Sequence, residues 1–506
     1  MVRVFVKNFW KKFALAIDHQ RRLGYCKEID SFKCENGGIR MYSKENGLSC
    51  WCTSDYVGEH CLHQSAVERL ENVFAGANNG GYGPRILPPA CPLECCANDK
   101  TLPPLETLYS KILKQKPGQF IPGRKNRNLL LDAFYQYFVL QFSDANSNLT
   151  VTGSQLYGSD AAPERSMRSF SGAKLKTREI NYKHFVTNHA FAPYLDVYIK
   201  ALTKGISIDR SWPSRMIARQ FTRIETLSTG TMLHVLSILW VREHNRVCDQ
   251  LSQKWPLWTH KELYNKARKI IIGQMMNIMM TEILNVELRP EVYHHRMENI
   301  RCSGKPIELY LTMAVSNLPE KLQYSSSNLT PYSNTSRVSE ADLKDSLQLM
   351  MSSKMRIVKA HDDGPLTERL TKTLMTLSRE QCLQSFNNYR RRLGLPAYNS
   401  FFDLTGNVET ATELEKLYST VEKVELLTGV LTEKSSSGVL PTAKVLSNSF
   451  IINAILTNSL TTKQSWTPDT FGGVEFFKLV KSTSLESLVC RNVDNCDELK
   501  NHRYAK

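Results

Sequence analysis

Thirteen cysteines occur in 506 residues, and they are bunched rather than spread. Five stand at 26, 34, 50, 52 and 61, three at 91, 95 and 96, and two at 490 and 496, while Cys248, Cys302 and Cys382 are isolated. The reduced thiols of a cytosolic enzyme show no such grouping, so the pattern points to disulfides and an oxidising compartment. The stretch from Cys26 to Cys61 is too short to bury a core of its own and needs cross-links to hold a fold. Zinc is the weaker reading, because Cys50-Trp51-Cys52 followed by eight residues and Cys61 is not ribbon spacing. An odd total leaves at least one thiol unpaired within the chain.

The run Cys34-Glu35-Asn36-Gly37-Gly38, then Cys50-Trp51-Cys52, then Gly58-Glu59-His60-Cys61 resembles the second half of an EGF-like module. That resemblance implies the bridges Cys34–Cys50 and Cys52–Cys61. Arg40 stands where such a module carries a further cysteine, so one bridge is absent, and Cys26 is free to staple the module to Cys91, Cys95 or Cys96. Sequons at Asn148, Asn328 and Asn334 agree with a glycoprotein of the ER lumen or the exterior. The first residues agree less well. Lys7, Lys11 and Lys12 interrupt the apolar bursts of Met1 to Ile17, and no clear signal-peptide cleavage site follows. Phe5, Phe9, Trp10, Phe13 and Ile17 instead suit a basic amphipathic segment over 1–25, whose readings are an interfacial helix, a failed signal or a disordered tail.

Hydrophobic residues make up 42% of the chain and charged residues 23%, which excludes a disordered or collagenous polymer. The longest apolar run, Ile270 to Met280, is too short to span a bilayer and carries Gln274 and Asn277. A net charge of +16 favours anionic partners, an anionic membrane surface among them. The basic residues are scattered, so no nucleic-acid partner is expected. From about residue 105 onward, helical periodicity dominates. Leu129 to Phe142, Thr231 to Leu251, His260 to Leu284 and Arg379 to Arg392 carry apolar faces of 3.6-residue period. Ser325 to Ser339 and Glu433 to Gly438 read as surface loops.

Taken alone, Leu239-Trp240-Val241-Arg242-Glu243-His244-Asn245-Arg246-Val247-Cys248 is a helix with Glu243 and Arg246 one turn apart and able to pair. The string WVREHNRVC resembles the signature helix of animal haem peroxidases, specifically the prostaglandin synthase (cyclooxygenase) branch. Further stretches resemble that branch in the same order: Leu156-Tyr157-Gly158, Lys174-Leu175-Lys176, Ile270 to Gln274, Ser385 to Arg392, Phe402 to Gly406, and Thr470 to Gly473. The resemblance implies a mainly α fold, a large helical haem-peroxidase-like domain preceded by a small disulfide-stapled EGF-like module. The domains implied are 1–25 as the basic segment, 26–61 as the module, 62–84 as a linker, 85–497 as the peroxidase-like domain and 498–506 as a tail. It also implies the bridge Cys490–Cys496 and a homodimer.

The resemblance implies haem, and the chain departs from it where haem chemistry is performed. Within Phe134 to Phe142, Gln136 matches the distal glutamine, whereas the distal histidine position holds Leu140. Anchored on Leu318-Pro319, the proximal histidine position falls on Val315 and that of the radical tyrosine on Thr312. The serine acetylated by aspirin in active members becomes Ile451, and the membrane-binding helices shrink to Leu62–Gly81. His234 on the signature helix is the substitute ligand considered, with the bland reading that it is an ordinary helical histidine. Haem is therefore expected to be unbound or weakly bound. The expected function is that of a catalytically impaired homologue acting by binding or assembly. Two alternatives stand beside it: an active haem-dependent peroxidase or fatty-acid dioxygenase with relocated ligands, or an EGF-containing adhesion or membrane-surface protein.

Overall fold

The computed structural model describes residues 39–43, 47–51, 56–57, 63–64, 85–90, 102–114, 128–143, 149–158, 164, 167–169, 172–180, 183–186, 229–288, 308, 340–352, 360–361, 368–434 and 441–496. The chain divides into two compact units, Met1–Arg69 and Leu70–Lys506. In the first unit, β1 (Ile39–Ser43) pairs antiparallel with β2 (Gly47–Trp51), and Arg40 stands opposite Cys50. A shorter pair follows, β3 (Tyr56–Val57) with β4 (His63–Gln64).

Among the described residues, the second unit is built mainly of helices and carries one hairpin, β5 (Thr177–Ile180) with β6 (Lys183–Val186). Helix α1 (Leu129–Leu140) starts where the Asn128 side chain accepts a hydrogen bond from the Leu131 amide, which satisfies one of the free N–H groups of the first turn. Helix α2 (Thr229–Lys254) contains the WVREHNRVC string, and α3 (His260–Ile278) follows it after a short turn. Thr259 and Glu262 form a reciprocal capping box at the start of α3. Helix α2 packs on both α1 and α3. The ring of Phe134 on α1 lies 6.2 Å from Trp240 on α2.

Helix α3 is apolar on nearly every side over its second half. Ile270, Ile271, Met275, Met276 and Ile278 are fully buried, each stabilising the fold by about 1.5–3 kcal/mol relative to an exposed side chain. A turn of π-helix, Met279–Ile283, continues it toward Leu284. Further along lie α4 (Glu340–Ser352), α5 (Glu368–Glu380), α6 (Phe386–Arg392), α7 (Val408–Leu417), α8 (Leu426–Thr432), α9 (Pro441–Leu456), α10 (Val474–Ser482) and α11 (Leu485–Asn492). Gly273 lets α3 approach α10 closely, since a Cβ there would stand 2.9 Å from the Phe471 ring and 3.0 Å from Val480.

Two sequence expectations require correction. Arg379 to Arg392 is not one helix. Cys382 takes a left-handed backbone conformation at φ 51° and ends α5, and α6 begins anew after Ser385. The Phe386 amide is instead tied to the Val424 carbonyl at 2.8 Å. Glu433, expected in a surface loop, is buried: its carboxylate pairs with Arg390 and accepts from the Thr442 amide and hydroxyl. Its neutralising partners lie on other elements, so the charged residue looked like loop composition in one dimension.

Candidate functional site

The signature helix places its polar residues at the crossing of α1, α3 and α11, and nearly all of them hold other segments in position. Arg242 spans to α4 and α11, donating to Glu340 at 2.8 Å and to the Asn492 carbonyl at 2.7 Å. Glu243 is fully buried and is the centre of a cluster. It accepts from Arg246 at 2.8 and 2.9 Å, from Arg491 at 3.2 Å, from Gln274 on α3 at 2.9 Å and from Asn492 at 3.0 Å. Burial alone would raise its carboxyl. The hydrogen bonds and charge of Arg246, joined by Arg491 and Gln274, outweigh burial and hold it down at about 2. Asn245 reads the backbone of Leu175 like a neighbouring strand, accepting from its amide at 2.8 Å and donating to its carbonyl at 3.1 Å. Two of the motifs carrying the resemblance are thereby joined across 70 residues.

His244 is buried and touches three groups. Its Nδ1 lies 2.9 Å from the Tyr157 hydroxyl, and its Nε2 lies 3.4 Å from both the Ala173 carbonyl and the Cys248 sulfur. A carbonyl only accepts, so Nε2 carries the proton and Nδ1 accepts from the tyrosine. Burial holds the imidazole down at about 3, with the bond to Ala173 only partly opposing it, so the ring is neutral at physiological pH. Burial likewise pushes the Cys248 thiol up to about 12 and the Tyr157 phenol well above its usual value. The Tyr264 ring closes the cluster at 5.3 Å from the imidazole, and Arg168 lies 4.0 Å over it. With both ring nitrogens engaged, His244 offers no lone pair to a metal. Cys248, held as a neutral thiol, is no thiolate ligand.

The remaining sequence-derived positions fall as follows. Gln136 is half-buried on α1, and its amide nitrogen donates to Asp132 at 2.9 Å. Leu140 is the last residue of α1, and His234 lies in the first third of α2. Ile451 is fully buried on α9 beside Phe450. Thr312 and Val315 lie outside the described residues, as do Cys26, Cys34, Cys52, Cys61, Cys91, Cys95, Cys96, Asn148, Asn328 and Asn334. Cys50 lies in β2, and Cys490 is joined to Cys496 in a disulfide. Among the described residues, no group of three His, Cys, Asp or Glu is arranged to hold a metal ion.

Sequence reading missed the chemistry around the α5–α6 corner. Cys382, isolated in the sequence, is disulfide-bonded. It borders a cavity of about 340 Å³ lined by Arg379, Leu383, Asn388, Lys423, Glu425 and Leu426 among others. Arg379 and Glu425 face each other there at 2.7 Å. Glu308 was also unsuspected. It is buried, accepts from the Tyr389 hydroxyl at 2.8 Å and the Ile86 amide at 3.1 Å, and burial raises its carboxyl above the ordinary range. Its neighbours come from residues 81 and 222 positions away, which no local pattern reveals.

A family model described as animal haem peroxidase matches residues 149–354 and 348–503. Prostaglandin G/H synthase 1 of Rattus norvegicus is 27% identical over 451 residues, covering 83% of this chain and 72% of its own. Prostaglandin G/H synthase 2 of Bos taurus is 26% identical over 449 residues, with the same coverage. Among solved structures, the fatty acid alpha-dioxygenase of Oryza sativa superposes with a TM-score of 0.58 at 16% identity, over 89% of this chain and 87% of the other. Peroxidase A of Dictyostelium discoideum gives 0.53 at 13% identity, over 84% and 97%. These last two speak to the fold. The family model, which covers well over half of the chain, and the prostaglandin G/H synthase relatives show that the chain belongs to the animal haem peroxidase family and is cyclooxygenase-like.

Proposed function

We propose that this chain is a catalytically impaired cyclooxygenase-like protein, a pseudoenzyme whose fold serves binding or assembly. The observation that carries the reading is the distal helix α1, where Leu140 stands at the distal histidine position and the amide of Gln136 is turned to Asp132 at 2.9 Å. The substitutions support it. Leu140 occupies the distal histidine position, and an isobutyl group relays no proton. Gln136 can donate a hydrogen bond but cannot act as the base, and its amide is already turned to Asp132. Val315 and Thr312 stand where the iron ligand and the radical tyrosine belong, and Ile451 where the acetylated serine belongs. The family's cofactor is haem, and in this reading haem is unbound or weakly held.

Titration of the purified chain with haem tests this. The expected result is no Soret band and no peroxide turnover. A Soret band accompanied by turnover overturns the proposal in favour of an active peroxidase or fatty-acid dioxygenase with relocated ligands. His234→Ala then identifies or excludes the substitute ligand by loss or persistence of the band.

The same reading includes an EGF-like module over 26–61, a glycosylated protein in the ER lumen or secreted, and a homodimer. The β1–β2 hairpin supports the module, and the Cys490–Cys496 bridge and the bonded Cys382 support an oxidising compartment. Non-reducing peptide mapping that finds Cys34, Cys50, Cys52 and Cys61 as free thiols overturns the module.

A further inference from the structure

Five large hydrophobic side chains are exposed among the described residues, and three of them gather at one apex. Leu257, 95% exposed, and Trp255, 38% exposed, lie in the turn between α2 and α3. Val474, 59% exposed, opens α10, and the Trp255 indole N–H donates to the Gly472 carbonyl at 3.0 Å, which ties the two segments together. Single exposed hydrophobics are ordinary, whereas a rigid cluster of them is not.

This apex is rigid. The ring of Trp255 stacks on Trp258 with centroids 5.2 Å apart and planes 8° from parallel. The Trp255 amide still closes α2 on the Leu251 carbonyl at 2.8 Å, and the Trp258 amide turns back to the Trp255 carbonyl at 3.1 Å. Directly after it, the Thr259–Glu262 capping box starts α3. Lys266 braces the far side with bonds to the carbonyls of Asp469 and Thr470 at 2.9 and 3.1 Å. Held between these supports, Pro256 and Leu257 lie exposed in the turn.

Charge defines the occupant. Lys254, Lys261, Lys266, Arg268 and Lys269 fall within sixteen residues of chain, against the single carboxylate Glu262, which the helix cap engages. Glu475 pairs with Lys254 at 2.7 Å and Glu164 with Arg268 at 3.2 Å, leaving His260, Lys261 and Lys269 on the exposed flank. Lys266 lies 5.5 Å over the Trp258 ring. Three exposed side chains are too few for a protein interface, which buries about 1,200 Å² or more. A Leu tip, a Trp pair and a lysine fringe instead match the graded polarity of a lipid surface, where indoles favour the headgroup layer.

We propose that the α2–α3 turn docks on anionic lipid bilayers, with Leu257 inserted below the headgroups and Lys261 and Lys269 meeting the phosphates. The proposal rests on the α2–α3 turn and not on residues 1–25, and it does not depend on whether haem is bound.

Co-sedimentation of the full-length chain with phosphatidylcholine vesicles, with and without phosphatidylserine, tests it. The expected result is binding that requires the anionic lipid, weakens roughly tenfold or more in Leu257→Asp and falls on raising salt. Lys261→Glu combined with Lys269→Glu is expected to weaken binding to the anionic vesicles as well. Leu257 touches solvent nearly everywhere, so its substitution leaves the fold intact, which an unchanged thermal transition verifies. Wild-type affinity in Leu257→Asp overturns the proposal, and so does equal binding to neutral vesicles. Self-association in vesicle-free sedimentation velocity that Leu257→Asp abolishes, with vesicle binding unaltered, overturns it in favour of a second copy of the chain.

Discussion

The Tyr157 hydroxyl and His244 Nδ1 meet at 2.9 Å in a site closed to water, and each fixes the protonation of the other. Tyrosine donates, the imidazole accepts, and the opposite ring nitrogen turns its proton to Ala173. An imidazole that gained a proton at Nδ1 would have to reverse this bond, with the tyrosine oxygen accepting.

This has a consequence for acid stability. The folded ring titrates at about 3, against about 6.5 in the unfolded chain, so between these values only the unfolded state is protonated. Stability is full above about pH 6.5 and declines as pH falls, by about 1.4 kcal/mol per unit. Chemical denaturation at pH 7 and pH 5 is expected to differ by about 2 kcal/mol from this residue alone. His244→Gln, less stable at both pH values, should lose that difference. An unchanged difference would show that His244 is not its source.

Glu243 acts in a lower window. Held at about 2, its contribution is complete above the ordinary carboxylate range near pH 4.5 and disappears as pH falls through 2. Glu243→Gln removes the charge from between Arg246 and Arg491 and is expected to destabilise by roughly 3–5 kcal/mol. A Tm scan at neutral pH measures the loss. Below about pH 4.5 the gap between variant and wild type should narrow, closing as pH falls through about 2, because the unfolded wild-type chain takes up a proton that the folded carboxylate still refuses.

Gly429 on α8 faces Phe386 on α6 so closely that an added Cβ would overlap the ring carbons. Gly429→Ala is therefore expected to cost about 1–3 kcal/mol as the helices are forced apart. Phe386→Leu in the same chain should recover part of that loss, which a double-mutant cycle on denaturation midpoints would reveal. Strict additivity would mean that the ring is not the obstacle.

Cys490 and Cys496 close a short loop at the end of α11. Replacing both by serine removes a constraint on the unfolded chain worth about 2 kcal/mol for so small a loop. Arg491 and Asn492, which lie within it, both contact Glu243. Loss of the bridge is thus expected to lower Tm and to steepen acid unfolding below pH 4.5. A Tm change without the acid effect would place the bridge's role outside the Glu243 cluster.

Much of this protein is written locally. Apolar residues at 3.6-residue spacing define α1, α2 and α3, because a helix needs only its own backbone bonds and one buried face. The Glu243–Arg246 pair is legible for the same reason, being one turn apart. The readings made at Leu140, Val315 and Thr312 rest on letters alone. Tertiary structure decided the rest. Gln274, Arg491 and Asn492 reach Glu243 from 31 to 249 residues away, and Glu308 meets Tyr389 across 81. Cys382 found a disulfide, Glu433 a buried partner, and Leu257 open solvent. Periodicity records which residues prefer to leave water. Which of them find a partner, and which are left at the surface, depends on distant segments whose approach is fixed only when the whole chain packs.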